Sequence, residues 1–410
     1  MLKIELKSIS FVLILFLGLF ILSIVVQAQT PVEKYGQLSV KGNRIVDKNG
    51  NAVQLRGMSL YWSQWKPAFY NAACIKWLKD DWCVSVVRAA MAVNSGGLAT
   101  NPNEKQKIFT VIDACIANGI YVIVDYHDHT ANTNIALAES FFEEVSKKYA
   151  NVPNILYETW NEPLQVSWAT VIKPYHQAIA NVIRKNDPDN IIICGTANWS
   201  QKVGDPAIDP IVGKNIAYTL HYYAASHKQW LRDAATAAMN KGIALFVTEY
   251  GTCEASGNGI LDATESKLWW DFLEKNSIGH CNWSAADLGE TSAALKTGTG
   301  ATGNWPASAL KPSGILVRDY LRSKCNTTTV TSIEECKADI GKSFPNPFQN
   351  SFTITSKGNF EYQITNISGM LVDKGVAFAS VEVGEDLPQG MYLLKISNTN
   401  KNQIIKIYKQ

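Results

Sequence analysis

The sequence has no surplus of charge of either sign. Its 38 Lys and Arg residues face 36 Asp and Glu, a formal net charge of +2. That balance offers no attraction for a phosphate backbone or an anionic membrane, so neither nucleic acid nor a membrane surface is an expected partner. After residue 26 no apolar run approaches the ~20 residues that span a bilayer as a helix. Histidine is sparse, six residues in 410, and the eight cysteines include no close Cys-x-x-Cys pair or Cys/His cluster. Without zinc-ligand spacing, no metal and no cofactor are expected. Residues 344–410 contain no tryptophan at all.

What is present begins with a leader. Lys3 and Lys7 precede an apolar run over residues 11–26 and then Val26-Gln27-Ala28. This is a basic n-region, an h-region and a small-x-Ala site, so residues 1–28 read as a signal peptide cut after Ala28. An uncleaved anchor is the rival reading, because the h-region is long. All eight cysteines follow the cut. Cys325 and Cys336 flank a polar stretch and could close a short loop, whereas Cys194 and Cys281 lie inside strand-like runs as small hydrophobes. Twelve tryptophans and sixteen tyrosines are either core mass or flat surfaces for ligands with an apolar face, such as the C–H face of a sugar ring.

Residues 37–55 read as a small hairpin turning at Lys41-Gly42-Asn43. Strand-like runs then recur at 55–60, 84–91, 121–127, 155–161, 191–195, 217–222, 244–250 and 280–284. Amphipathic stretches such as 103–118, 136–149 and 168–186 lie between them. Eight short apolar strands alternating with helices predict an α/β fold, a (β/α)8 TIM barrel over residues 29–324. A polar linker is expected at 325–343. Alternating segments separated by Gly, Pro and Asn then predict a small all-β sandwich domain at 344–410.

Polar residues close six of the eight strands: Arg88, Asp125-Tyr126-His127, Asn161-Glu162, His221-Tyr222-Tyr223, Thr248-Glu249 and Asn282-Trp283-Ser284. Active sites of such barrels form at the C-terminal ends of the strands, so these side chains are expected around one pocket. Two glutamates at the ends of strands four and seven suit glycoside hydrolysis. One carboxyl must protonate the leaving oxygen while the other faces an oxocarbenium-like centre. For Glu162 to hold that proton near neutral pH its surroundings must raise its pKa, and Arg88 is the cation that keeps Glu249 ionised. The bland alternative makes both glutamates surface charges.

The motifs Leu55-Arg56-Gly57-Met58-Ser59, Val87-Arg88-Ala89-Ala90-Met91, Asp125-Tyr126-His127, Glu158-Thr159-Trp160-Asn161-Glu162-Pro163, Leu220-His221-Tyr222-Tyr223, Val247-Thr248-Glu249-Tyr250-Gly251 and Asn282-Trp283-Ser284 resemble glycoside hydrolase family 5, the cellulase family. The likeness runs from about residue 37 to 321. It implies a retaining endo-β-1,4-glucanase with Glu162 as acid/base and Glu249 as nucleophile. Arg88 and Tyr223 would hold the nucleophile, and Asn161 the sugar 2-hydroxyl. His127 and His221 would bind hydroxyls and tune the acid, and Trp283 would underlie the sugar at the cleavage point. Trp199, Trp62, Trp65, Glu290 and His129 complete the substrate-binding set that the likeness implies. Relatives carry a lysine two residues before that glutamate, where this chain has Leu288.

Phe344-Pro345-Asn346-Pro347-Phe348, Asn366-Ile367-Ser368-Gly369 and Leu387-Pro388-Gln389-Gly390-Met391-Tyr392 resemble a type A sorting domain of the type IX secretion system. The implied partners are cellulose or a related β-glucan and a secretion machinery. A secreted or cell-surface protein, monomeric and without stable membrane insertion, is expected. The rival readings are a mannanase, xyloglucanase or mixed-linkage glucanase on the same barrel, a non-catalytic glucan-binding protein, and a carbohydrate-binding tail.

Overall fold

Runs of Val, Ile, Leu and Ala too short for helices, and buried along their whole length, become the strands of a closed parallel barrel. In the computed structural model, which describes residues 29–325, 341–366, 370–398 and 401–410, the barrel strands are β1 (Arg56–Leu60), β2 (Val86–Ala92), β3 (Tyr121–His127), β4 (Ile155–Glu158), β5 (Ile191–Cys194), β6 (Ile216–Tyr223), β7 (Ala244–Gly251) and β8 (His280–Ala285). Each pairs in parallel with its sequence neighbour, and β8 closes onto β1. β4 stops three residues before the end that its sequence suggests. Asn161 and Glu162 lie on the segment beyond it, where their N–H groups donate to Tyr126 O at 3.2 Å and Asp128 O at 3.4 Å.

The two-residue period of a strand sorts side chains between two cores. Val86, Tyr121, Ile123, Leu156, Ala217 and Phe246 point into the barrel, and Val87, Val122, Val124, Tyr157, Tyr218 and Leu245 point out toward the helices. A two-stranded hairpin, Ser39–Lys41 with Arg44–Val46, closes the bottom of the barrel by adding Leu38 and Ile45 to the inner core. Continuing the inward parity up each strand leads from Val86 to Arg88, from Ile123 to Asp125 and His127, from Leu156 to Glu158, and from Ala217 to Thr219, His221 and Tyr223.

β7 breaks this pattern where it matters. Phe246 pairs with Thr219, but Glu249 pairs with His221, so β7 spends three residues against two on β6. The same shift appears against β8, where Val247 pairs with His280 and Tyr250 with Asn282. A bulge of this kind re-aims side chains. Here Thr248 and Glu249, adjacent in sequence, both face the interior: Thr248 Oγ1 donates to Glu158, and Glu249 accepts from Arg88.

The last helix of the barrel, Pro312–Ser323, packs on Ala72–Trp82. Arg318 bonds both carboxylate oxygens of Asp81 at 2.7 Å, and a disulfide joins Cys83 to Cys325. This corrects the Cys325–Cys336 loop: Cys325 is already bonded, and Cys336 lies outside the described residues. Cys194 and Cys281 are free and buried in β5 and β8. The leader at 1–28 also lies outside the described residues, and no described helix is long and apolar enough to cross a membrane.

The chain divides into two compact units after Cys325. The second contains β9 (Gly341–Phe344), β10 (Phe352–Asn366), β11 (Leu371–Val383), β12 (Gly390–Asn398) and β13 (Lys401–Lys409), all antiparallel. Residues 341–343, expected as linker, are strand because they pair with 354–356. The strands expected at 351–355 and 360–366 are one long strand whose register shifts between Thr355 and Asn359. Phe352, Ile354, Ile364, Leu394, Ile396 and Ile407 form this unit's own core.

Candidate active site

Arg88 organises the floor of the pocket. It is wholly buried, and its guanidinium fork reaches acceptors on Ser59, Asp125, Glu158, Asn161 and Glu249. Nε donates to Glu158 Oε2 at 2.7 Å, Nη1 to Glu249 Oε2 at 2.9 Å, and Nη2 to Asn161 Oδ1 at 2.5 Å. Asp125 Oδ2 lies 2.9 Å from Nη2. A buried cation is tolerable only with such full pairing, and the rigid fork fixes each partner's direction. Glu249 is held from its other side by Tyr223, whose hydroxyl donates to Oε1 at 2.8 Å. Gly251 makes room for that tyrosine, since a Cβ there would lie 2.2 Å from the ring.

Glu162 stands opposite, between two imidazoles. His221 Nδ1 is 2.8 Å from Oε1, and His129 Nε2 is 3.1 Å from Oε2. Behind it, His221 Nε2 meets Thr248 Oγ1 at 2.9 Å. Burial alone would raise Glu162, but the hydrogen bonds and charges of the two histidines outweigh it and hold the carboxyl below the usual carboxylate range. This reverses the expected direction in the free protein. The proton sits instead on His221: burial opposes its charge, but the Glu158 and Glu162 carboxylates push it up to about 9. His129 is raised too, first by its bond to Glu162. One ligand atom each from Glu162, His221 and Glu249 lies within 4.8 Å of the others, so the two carboxylates approach closely.

His127 behaves differently. Burial and the nearby Arg88 charge lower it to about 3, which leaves a neutral ring. With Nδ1 engaged by Asp125 Oδ2 at 2.6 Å, Nε2 is the free acceptor for a hydroxyl in the pocket. The ring stacks on Trp283 at 5.2 Å between centroids and meets the edge of Trp62 at 4.1 Å.

The pocket has a volume of about 200 Å³, and its walls include Trp62, His127, His129, Asn161, Glu162, Tyr223, Glu249, Trp283 and Glu290. Arg88 and His221 stand behind this lining. Trp199 and Trp65 lie outside it with faces 40% and 52% exposed, so core packing does not account for them. Trp199 is displayed by three successive left-handed residues, Asn198, Trp199 and Ser200, with φ of 58, 55 and 56°. Each costs on the order of 1 kcal/mol for an L-residue. Bonds from Asn198 N and Trp199 N to Leu164 O and Pro163 O, and from Ser200 Oγ to Asn161 O, hold the turn. Gly195 precedes it because a Cβ would strike Trp160 O at 2.0 Å.

Sequence reading assigned no role to Glu158 or Tyr61. Glu158 is a fully buried partner of Arg88 and Thr248, and Tyr61 lines the pocket against Trp283 at 5.1 Å. Their position at the ends of β4 and β1 was the available signal. Leu288 stands where relatives carry a lysine, and the loop it belongs to is fastened by Lys311. Lys311 Nζ donates to the carbonyls of Leu288 at 3.2 Å and Gly289 at 2.8 Å. Glu290 itself is raised by burial.

Comparison with known proteins matches this geometry to relatives. An endoglucanase of Clostridium saccharobutylicum is 45% identical over 302 residues, 72% of this chain and 67% of that protein. A solved structure from Cytophaga hutchinsonii is 54% identical, covers 72% of this chain and 98% of its own, and superposes with a TM-score of 0.72. The catalytic domain of Thermobifida fusca endoglucanase Cel5A, solved as a variant in complex with cellotetraose, is 37% identical over 72% of this chain and all of its own, with a TM-score of 0.69. Residues 342–410 match the secretion system C-terminal sorting domain. Residues 46–289 match the family described as cellulase, glycosyl hydrolase family 5, and the chain belongs to that family.

Proposed function

We propose that this protein is an exported endo-β-1,4-glucanase that cleaves internal bonds of cellulose with retention of configuration. The observation that carries the reading is the approach of the Glu162 and Glu249 carboxylates to within 4.8 Å. An approach of one oxygen from each to within that distance fits the retaining arrangement, with carboxyls about 5–5.5 Å apart, in which the second carboxylate attacks the anomeric carbon directly.

Glu249, oriented by Arg88 and Tyr223, attacks the anomeric carbon to form a glycosyl–enzyme. Glu162 gives a proton to the departing oxygen and then takes one from the incoming water. At neutral pH the Glu162–His221 couple holds one proton, and a glycosidic oxygen in the pocket offers it a third partner. Asn161, fixed by Arg88, bonds the 2-hydroxyl. His127 accepts from a neighbouring hydroxyl, Trp283 underlies the reacting sugar, and Trp62, Trp65 and Trp199 stack on the sugars beyond it. Glu290 and His129 contact further hydroxyls. The sorting domain and the leader support export across an outer membrane by a type IX route, the protein working as a monomer.

Two substitutions test the chemistry. Glu249→Ala should abolish hydrolysis, and azide should restore turnover with an α-glycosyl azide as product; a β-azide would overturn retention. Glu162→Gln should slow cello-oligosaccharide cleavage by about 10²–10⁴ yet spare kcat/KM, the quantity compared, for a dinitrophenyl cellobioside, whose leaving group needs no proton, while kcat falls because Glu162 also activates the water. Equal losses would remove Glu162 as the acid. A panel of carboxymethylcellulose, lichenan, mannan and xylan decides the backbone preference.

A further inference from the structure

The loop after β1 carries Tyr61, Trp62 and Trp65, and a buried carboxylate that takes no part in hydrolysis fastens it from beneath. Ser63 sits between the rings and is itself wholly buried. Its hydroxyl donates to Glu104 Oε1 at 2.5 Å and accepts from the Ala92 N–H at 2.9 Å. Its own N–H donates to Ala90 O at 3.1 Å. Glu104 opens the helix Glu104–Ala117 and has no exposed surface. Lys107 Nζ bonds both of its oxygens, at 2.8 and 2.7 Å, and also the Ser63 carbonyl at 3.1 Å. Asn101 Nδ2 adds a third donor, to Oε2 at 3.3 Å.

A carboxylate buried beneath a surface loop is costly unless its oxygens are fully partnered, and the helix N-terminus adds favourable partial charge. Glu104 meets both conditions, and among the described residues its hydrogen-bond partner outside its own helix and the turn before it is Ser63. The main chain flanking that serine is the main chain of the rings. Trp62 packs on His127 at 4.1 Å and on Trp65 at 5.1 Å, so a shift of Ser63 displaces the aromatic wall as a unit. At the loop's far end Lys66 Nζ pairs with Asp287 Oδ1 at 2.7 Å, which joins it to the segment after β8.

We propose that Glu104, acting through Ser63, is a positioning residue that pre-organises the Trp62–Trp65 wall for long glucan chains. The inference rests on the reading that these rings stack on sugars. A wall already in its bound arrangement loses less freedom when the chain docks, which appears in binding rather than in the bond-breaking step.

The test compares the full chain with Ser63→Ala, Glu104→Gln, Trp62→Ala and the Trp62→Ala/Ser63→Ala double variant, measuring kcat and KM on cellohexaose. Ser63→Ala and Glu104→Gln should each raise KM about fivefold to tenfold with kcat within twofold. In the Trp62→Ala background, adding Ser63→Ala should change KM by less than twofold, because the ring next to Ser63, which ties the wall to His127, is already gone. Should Ser63→Ala fail to fold, Glu104→Gln, which preserves shape, carries the test with the Trp62→Ala/Glu104→Gln pair. Unchanged KM in the single variants, a fall in kcat at constant KM, or the same KM increase in both backgrounds would overturn the inference while leaving the stacking reading intact. An unchanged KM in Trp62→Ala alone would overturn the stacking reading and this inference with it.

Discussion

In the proposed mechanism, the proton that glycoside cleavage needs is stored on an imidazole and used through a carboxyl. His221 is fully enclosed, and its interactions with Glu158 and Glu162 push it up to about 9, while Glu162 is held below the usual carboxylate range. Since the raised group is the histidine, the couple keeps its proton below that value and loses it as pH rises through it. The basic limb of kcat/KM on a soluble substrate should therefore fall near pH 9. His221→Asn should move that limb to lower pH, because Glu162 alone must then retain the proton. A limb that stays in place would show that the couple does not supply it. Sequence placed Glu162 and His221 at the same end of the barrel but misjudged the direction of the carboxyl's shift. That direction depends on two imidazoles at 2.8 and 3.1 Å, and such distances are not written in strand-end position.

At the scale of elements, most of the barrel follows from local pattern. The run at 121–127 is strand β3 to the residue, because continuous apolar residues before a polar end fit only a strand buried on both faces. The bulge in β7 is another matter. A strict two-residue alternation from Phe246 puts Thr248 inward and Glu249 outward, so the direction of Glu249, the proposed nucleophile, rests on one extra residue in the ladder. The pairing of Cys83 with Cys325 also joins positions 242 residues apart. With the Arg318–Asp81 bridge it staples the helix Pro312–Ser323 to the helix Ala72–Trp82. Replacing both cysteines by serine should lower unfolding free energy by about 2–4 kcal/mol and leave kcat unchanged at 25 °C, as checked by urea titration and a rate assay. Loss of activity without loss of stability would contradict a purely structural role.

At the scale of the whole molecule, all of the proposed chemistry belongs to the unit that ends at Cys325. That unit has its own cores, and its disulfide is internal. Truncation after Cys325 should leave rates on soluble cellulose derivatives within about twofold, since a unit with its own core keeps its fold. The sorting domain has a separate core and no tryptophan, so sugar binding is not its expected task. In the native host the truncated enzyme should accumulate in the periplasm. Its full secretion would refute the sorting role, and lost cellulose adsorption with normal export would favour a carbohydrate-binding tail.

The sequence by itself determined the barrel, the change of character after the last helix, and the strand ends that carry Arg88, Glu162, His221 and Glu249. These follow from period, burial and residue type along the chain, which are local properties. Only the tertiary structure decided the inward turn of Glu249, the proton's residence on His221, the partner of Cys325, and the Ser63–Glu104 contact beneath the aromatic loop. Each depends on groups far apart in sequence meeting within a few ångströms, where hydrogen-bond geometry and exclusion of water set the energies.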